Sequence, residues 1–260
     1  MRAVYDLTTY PTTYDFAGWA VMARTCGVEH VHFIIDGPIA HWKYPEDIAW
    51  KRFATILLPI CRLARLTYSV GAREQGPEFS YHGGHVNALY LKAGRLEKLK
   101  PTLKRDGRAP YVTLTLRESF RNQHRNSNRE AWQRFHQYLM QTGLDVVVIP
   151  ECEDAPINLE HRMALYCGAE MNLGVAQGPM ALCVFSDAPY ITLNQNPKDM
   201  TGRAQYDIDK LLVKTGFPPG SQYAFRTDRQ ILIWEPDTFE NIVAAYEAMK
   251  RGEFAVKKAA

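Results

Sequence analysis

The sequence predicts an α/β protein made of two parallel-sheet halves, and three observations carry that prediction. Short β-rich apolar runs alternate with helix patterns along almost the whole chain. The alternation weakens between about residues 72 and 110 and then restarts. The 260 residues suffice for two such halves with a real core. We therefore place the division at 1–108 and 109–260.

The first half opens with MRAVYDL as strand one and TTYPTTYDF as a turn-forming loop. FAGWAVMART follows as a helix that ends near Cys26 and Gly27. EHVHFIID is strand two. YPEDIAWKRFATILLPICRLA is a longer helix with Pro45, Glu46 and Asp47 at its start, as a helix N-terminus prefers. Pro59 is expected to kink or end it. RLTYSVG is strand three, which completes a βαβαβ pattern. REQGPEFSYHGGH then reads as a polar, Gly-rich loop, VNALYL as a strand or short helix, and KAGRLEKLKPTLKRDGRAP as a basic linker.

The second half begins with YVTLTLR, a strand of period-two alternation. Ser127 with Glu130 three residues on predicts a capping box, so the next helix is expected to start at Ser127. Trp132, Phe135 and Leu139 recur at helical spacing and Gly143 stops that helix. LDVVVIPE is a buried strand, HRMALYCGAE a helix, MNLGVA a short strand, and QGPMALCVFS a loop that opens a helix. APYITLN and QILIWEP are further strands. DTFENIVAAYEAMKRG is the closing helix, capped at Asp237 or Thr238.

Composition excludes some classes. An apolar share of 46% and a charged share of 23% are those of an ordinary globular protein. The net charge of +3 is too small to predict nucleic-acid binding by bulk charge. The apolar stretches at residues 54–59 and 181–185 are too short to span a bilayer, and no signal-peptide pattern opens the chain. The five cysteines, Cys26, Cys61, Cys152, Cys167 and Cys183, lack close pairing and fit a reducing cytoplasm. The terminal KKAA is read as coincidental. Neither G-x-G-x-x-G nor G-x-x-x-x-G-K-[ST] nor G-x-S-x-G occurs, against dinucleotide binding, a P-loop and an α/β-hydrolase.

Three loops carry the candidate chemistry. Residues 117–132, RESFRNQHRNSNREAW, place Arg117, Arg121, Arg125 and Arg129 four apart. With a strand ending at Arg117 and a helix starting at Ser127, the segment between is a loop at the carboxyl end of a strand. Ligands sit at that edge in open α/β sheets, and Arg adds forked, charge-assisted donors for phosphate. The competing reading is a solvated loop whose arginines pair with surface acids. Residues 174–182, GVAQGPMAL, put Gln177, Gly178, Pro179 and Met180 between a strand and a helix, with backbone N–H groups for a second phosphate or a sugar. Residues 8–19, TTYPTTYDFAGW, put Asp15 at a helix start, either as a cap or as a carboxylate base. Weaker candidates are His82 and His85 as metal ligands, Glu151 in ECED for ribose hydroxyls, and Asn194 in LNQNPKD along the same crevice. No metal site is assigned, since two His alone are poor ligand spacing. The tryptophans are expected in the core.

YVTLTLRES…REAWQRFHQYLMQTGLDVVVIPE and MNLGVAQGPMALCVFSDAPYITL resemble the corresponding segments of heptosyltransferase-like enzymes of the GT-B glycosyltransferase fold. The resemblance covers mainly residues 110–195. It implies two Rossmann-like halves facing across a cleft, with the first half reduced. It implies transfer of a sugar from a nucleotide-activated donor to an acceptor hydroxyl, with no cofactor and no metal. Asp15 maps onto the family's base, and Arg117, Arg121 and Arg125 onto its donor-phosphate contacts. The chain departs from the family pattern in three places. The usual Lys near the Trp is absent, a Gly-Asp pair reads Tyr14-Asp15, and Met180 replaces a His. The expected partners are a nucleotide-sugar donor and an acceptor, with no nucleic acid, in the cytoplasm; an oligomer is open. Two other readings stay open. One is a sugar-nucleotide epimerase or hydrolase using Glu118 or Glu151 as acid/base groups. The other is a non-catalytic scaffold that kept the fold.

Overall fold

A computed structural model describes residues 1–39, 45–103, 110–120, 122–151, 158–198, 202–216 and 218–256. Arg121, Trp42, Cys152 and the terminal KKAA lie outside the described residues.

The first half contains β1 (Arg2–Asp6), α1 (Phe16–Thr25), β2 (His30–Ile34), α2 (Glu46–Arg52), α3 (Leu58–Leu63), β3 (Thr67–Gly71) and α4 (Gly83–Ala93). Its strands form a parallel three-stranded sheet in the order β1-β2-β3. The expected break at Pro59 takes a different form. The helix runs through it, with a π turn at Phe53–Leu57 in which the Leu58 N–H bonds Phe53 O. Proline has no N–H and its ring collides with the carbonyl four residues back. Widening the helix by one residue just before Pro59 relieves that collision.

The register sets two unlike faces. Tyr5 and Phe33 pair on one face, with Phe16, Trp19 and Phe53 packed edge-on to them at 4.8–5.4 Å. The other face carries Arg2, His30, His32 and Ser69, linked by hydrogen bonds to Ser69 Oγ at 2.9–3.2 Å. Apolar and polar side chains alternate, yet both faces are largely covered: Val4, Asp6, His32 and Ile34 on the polar-bearing face are each at most 3% exposed. The outer edge of β1 is closed by the returning chain, where Val4 N donates to Pro77 O (3.1 Å).

The second half contains β4 (Tyr111–Arg117), α5 (Arg129–Gln141), β5 (Asp145–Glu151), α6 (Leu159–Gly168), β6 (Met171–Val175), α7 (Ala181–Val184), β7 (Tyr190–Leu193), α8 (Ile208–Thr215), β8 (Gln230–Leu232) and α9 (Phe239–Lys250). Its parallel sheet has the order β5-β4-β6-β7-β8. Helices cover both faces. Trp132, Phe135, Ile242 and Tyr246 of α5 and α9 pack on Val112, Leu173 and Ile191. Leu159, Met163, Leu182 and Cys183 of α6 and α7 belong to the other cluster. α8 has no counterpart in the sequence reading, which left residues 200–229 without an element.

The sequence reading of the α5 start is corrected by one residue. The N-cap is Asn128, whose side chain accepts from Ala131 N (3.3 Å). Ser127 is engaged elsewhere: its Oγ accepts from Arg117 N (2.9 Å) and its N–H donates to Arg117 O (3.1 Å). The ambiguous VNALYL is helical, inside α4. α9 is capped by Thr238, which accepts from Asn241 N.

The halves are joined by more than the linker. The larger apolar cluster draws Phe16, Trp19 and Leu57 from one half and Met163, Leu182 and Phe225 from the other. α4 crosses α8 where a Cβ on Gly84 would lie 2.6 Å from Gly216 Cα. Only glycines allow backbones that close, and Gly216 also has a φ of +80°. Arg62 of α3 pairs with Glu160 of α6 at 2.8 Å, and Leu99 N donates to Phe185 O (2.8 Å).

Candidate functional site

The strand order of the second sheet reverses between β4 and β6. Their next strands, β5 and β7, lie on opposite sides. Loops leaving the carboxyl ends of two such strands diverge and open a crevice between them. The two loops there are the arginine loop after β4 and the glycine turn after β6.

The arginine loop is closed at its neck. Besides the Arg117–Ser127 pair, Ser119 N donates to Asn126 Oδ1 (3.0 Å) and Asn126 Nδ2 donates to Ser119 O (2.8 Å). Asn122 takes a left-handed φ of +53° at its bend, and a 3-10 turn at Gln123–Arg125 follows. Arg125 is half-buried and reaches the glycine-turn loop, with Nη2 donating to Ala176 O (3.1 Å). Arg117 is half-buried at the strand end. Arg121 lies outside the described residues.

The glycine turn is a 3-10 turn at Gly178–Met180 leading into α7. Gln177 is buried and its Nε2 donates to Thr115 O (2.7 Å), which ties the turn to β4. The side chains of Pro179 and Met180 are buried. Pro179 has no N–H and that of Met180 donates to Gln177 O (3.2 Å). The turn therefore presents at most two of the expected N–H groups, those of Gln177 and Gly178.

The loop carrying Asp15 meets that turn. A Cβ on Gly178 would lie 2.5 Å from Tyr14 Cδ2, so the Tyr14 ring rests on the glycine. The loop is anchored from its own half: Tyr5 OH donates to Pro11 O (3.0 Å) and Arg52 Nε to Thr12 O (2.9 Å). Asp6, just before it, is buried. Burial pushes its carboxyl up, but bonds from Thr8 and Arg73 hold it below its ordinary value. Asp15 sits at the N-cap position of α1 with no side-chain cap hydrogen bond. Its carboxylate is exposed and accepts from Thr13 Oγ1 at 3.2 Å. It lies close enough to Tyr223, Tyr81 and His82 to affect their ionisation.

The two weaker candidates already have protein partners. Glu151, at the end of β5, forms an ion pair with Arg162 of α6. Burial pushes its carboxyl above its ordinary value, against the pull of Arg162, Arg52 and Arg117. Asn194 has a φ of +56° and its Nδ2 lies 3.5 Å from Asp237 Oδ1. Asp237 in turn accepts from the Trp132 indole (2.7 Å) and from Asn128 N (2.8 Å). The His82–His85 pair belongs to the α4–α8 crossing, because Gly83 and Gly84 between them make the close approach. Among the described residues no three His, Cys, Asp or Glu side chains group closely enough to hold a metal ion.

Sequence reasoning missed Arg52, Arg162 and Tyr14. Arg162 had a signal: Leu159, Arg162, Met163 and Tyr166 recur on one helical face, so an arginine stands on an otherwise apolar stripe. The Tyr14–Gly178 contact spans more than 160 residues of chain and has no local signature.

No protein-family model matches the sequence, and no curated protein is detectably similar to it. Solved structures are. The iron-containing dodecameric glycosyltransferase TibC from enterotoxigenic E. coli H10407 aligns at 13% identity and a TM-score of 0.51, over 97% of this chain and 76% of that one. The dodecameric iron-containing heptosyltransferase TibC in complex with ADP-D-β-D-heptose aligns at 13% identity and 0.51, over 96% and 76%. E. coli heptosyltransferase WaaC with ADP aligns at 13% identity over 97% and 100%, with a TM-score of 0.48. At such identity the likeness shows the fold, and the chain folds as two Rossmann-like halves in the GT-B arrangement.

Proposed function

We propose that the protein is a glycosyltransferase that moves a sugar from a nucleotide-activated donor to an acceptor hydroxyl. One observation carries the reading: at the β4/β6 switch point the structure brings together Arg125, the Gly178 turn and the loop bearing Asp15. The heptosyltransferase likeness of the fold supports it, as does the complex of TibC with a nucleotide-activated heptose.

In this reading residues 1–108 form the acceptor side and 109–260 the donor side. Arg117, Arg121 and Arg125, with the N–H groups of Gln177 and Gly178, hold the donor diphosphate. As the glycosidic bond breaks, negative charge grows on the leaving diphosphate. The Arg125 guanidinium, already in place beside Ala176 O, stabilises that charge without reorganising. Asp15 takes the proton of the acceptor hydroxyl as it attacks. Its freedom from a capping bond leaves the carboxylate for that work. No step in this reading calls for a metal, so turnover is expected to persist in a chelator. The ion pair with Arg162 already engages Glu151, one of the two acid/base candidates of the epimerase or hydrolase reading.

The test is a thermal-shift titration against nucleoside diphosphates and nucleotide sugars, repeated with Arg117→Ala. A ligand at a hundredfold excess over its Kd stabilises the fold by about 2.7 kcal/mol. One nucleotide series should stabilise the wild type and lose that effect in the variant. A flat response across the panel would count against the reading.

A further inference from the structure

Beneath the site lies a buried polar chain that the transfer chemistry does not use. Arg162 is 1% exposed. Its Nη1 donates to Tyr166 OH (3.2 Å), and Tyr166 OH shares a hydrogen bond with Thr115 Oγ1 of β4 (2.9 Å). Its Nη2 meets Glu151 at the end of β5. Thr115 also carries the chain to the glycine turn, its carbonyl accepting from Gln177 Nε2 (2.7 Å). Tyr14 rests on Gly178, and Asp15 is its neighbour in the chain. From the first half, Arg52 reaches both the Glu151 field and the carbonyl of Thr12.

A guanidinium buried this deeply costs several kcal/mol of desolvation, which its partners offset only when geometry is good. For fold stability alone, an apolar residue on that stripe would serve as well. What a planar, forked cation adds is fixed direction toward several acceptors at once. Here those directions lead to β4 through Tyr166 and to β5 through Glu151, and the Asp15 loop is reached from β4 by way of Thr115, Gln177 and the Tyr14–Gly178 contact.

We infer that Arg162 is a positioning residue. From below it holds the carboxyl ends of β4 and β5 and the Tyr14–Asp15 loop in one frame. It thereby sets where the Asp15 carboxylate stands relative to the Gly178 turn. The kinetic part of the inference rests on the transferase reading; the structural part does not.

The first experiment is amide hydrogen exchange on the full chain as wild type, Arg162→Met and Met163→Ala. The last is a core truncation one residue away that leaves the polar chain intact. We expect Arg162→Met to speed exchange at least tenfold at Phe16, Ala17 and Gly18 and at Met180. Met163→Ala should loosen α6 without singling out those amides. Acceleration confined to α6, or the same pattern in both variants, would overturn the inference. Should Arg162→Met fail to fold, Glu151→Gln and Arg162→Lys cut or blunt the same link, and the same amides decide.

The second experiment applies where the wild type transfers sugar. Arg162→Lys is expected to lower kcat about tenfold or more, since a misplacement of about 1 Å costs about a hundredfold. Donor KM should change less than kcat, because the substituted group itself does not touch the donor. An unchanged kcat would overturn the inference even with donor binding confirmed. If the wild type binds no nucleotide sugar, the transferase reading falls and the exchange result alone decides the role of Arg162.

Discussion

The two sheets solve the same problem differently. The first has three strands in sequential order, with packed aromatics on one face and a polar cluster of Arg2, His30, His32 and Ser69 on the other. The second has five, a reversal of order between β4 and β6, and helices on both faces. In open α/β sheets ligands sit at such a reversal, so topology makes this edge of the second sheet the candidate site. The described strands of the first contain no reversal. What it brings is one loop, anchored by Tyr5 and Arg52 and pressed onto the other half through Tyr14. In the proposed division of labour, binding belongs to the second half and proton transfer to the first.

The sharpest way to break that division is Asp15→Asn. Turnover should fall by about a hundredfold or more, the usual worth of a general base, while donor affinity by calorimetry stays as in the wild type. Turnover within twofold of wild type would remove Asp15 from the chemistry. The complementary change is Arg125→Ala, which removes one charge-assisted donor worth about 1.5–3 kcal/mol. Donor affinity should drop about tenfold or more. If donor affinity and kcat both stay as in the wild type, Arg125 takes no part in holding the donor.

A third test addresses the joint between the halves. In Gly84→Ala the new methyl meets Gly216 Cα at 2.6 Å, and a backbone atom cannot swing aside. Overpacking of this kind costs about 1–3 kcal/mol, or roughly 2–4 °C of Tm per kcal/mol at this size. An unmoved Tm would mean that the crossing relaxes freely.

The smallest effect is in pH. Burial holds the imidazoles of His30 and His82 below their ordinary value of 6.5. The folded chain thus binds fewer protons at these groups than the unfolded chain. Their contribution to stability is fully present above 6.5 and is lost as pH falls through 6.5 toward the depressed folded values. His82→Gln should flatten part of that acid-side decline in denaturant-unfolding curves between pH 7 and 5. An identical slope in the variant would show that His82 does not titrate with unfolding.

The elements were legible because parallel strands and amphipathic helices leave periodic marks. The two-residue period of His30, Val31, His32 and Phe33 marks the strand, although His32 is buried along with Val31 and Phe33. The misses have specific causes. Ser127 looks like a cap, but its hydroxyl is held by Arg117 N, a tertiary contact that passes the capping role to Asn128. The His82–His85 pair suggested ligands, whereas Gly83 and Gly84 between them serve a helix crossing. The positions of Arg125 over Ala176 and of Tyr14 over Gly178 are set by chain folding over long separations, so motifs named the loops but not their meeting.

The shared apolar cluster has a consequence for engineering. The two halves of such a fold invite exchange, as if each were a cassette. Here Phe16, Trp19 and Leu57 interleave with Met163, Leu182 and Phe225 in one core. A cut near residue 109 would leave a wet apolar face on both pieces. A chimera would therefore have to inherit α1 and α3 together with α6 and α7. The unit available for recombination is the pair of facing helical layers, and the whole chain should melt in a single cooperative transition.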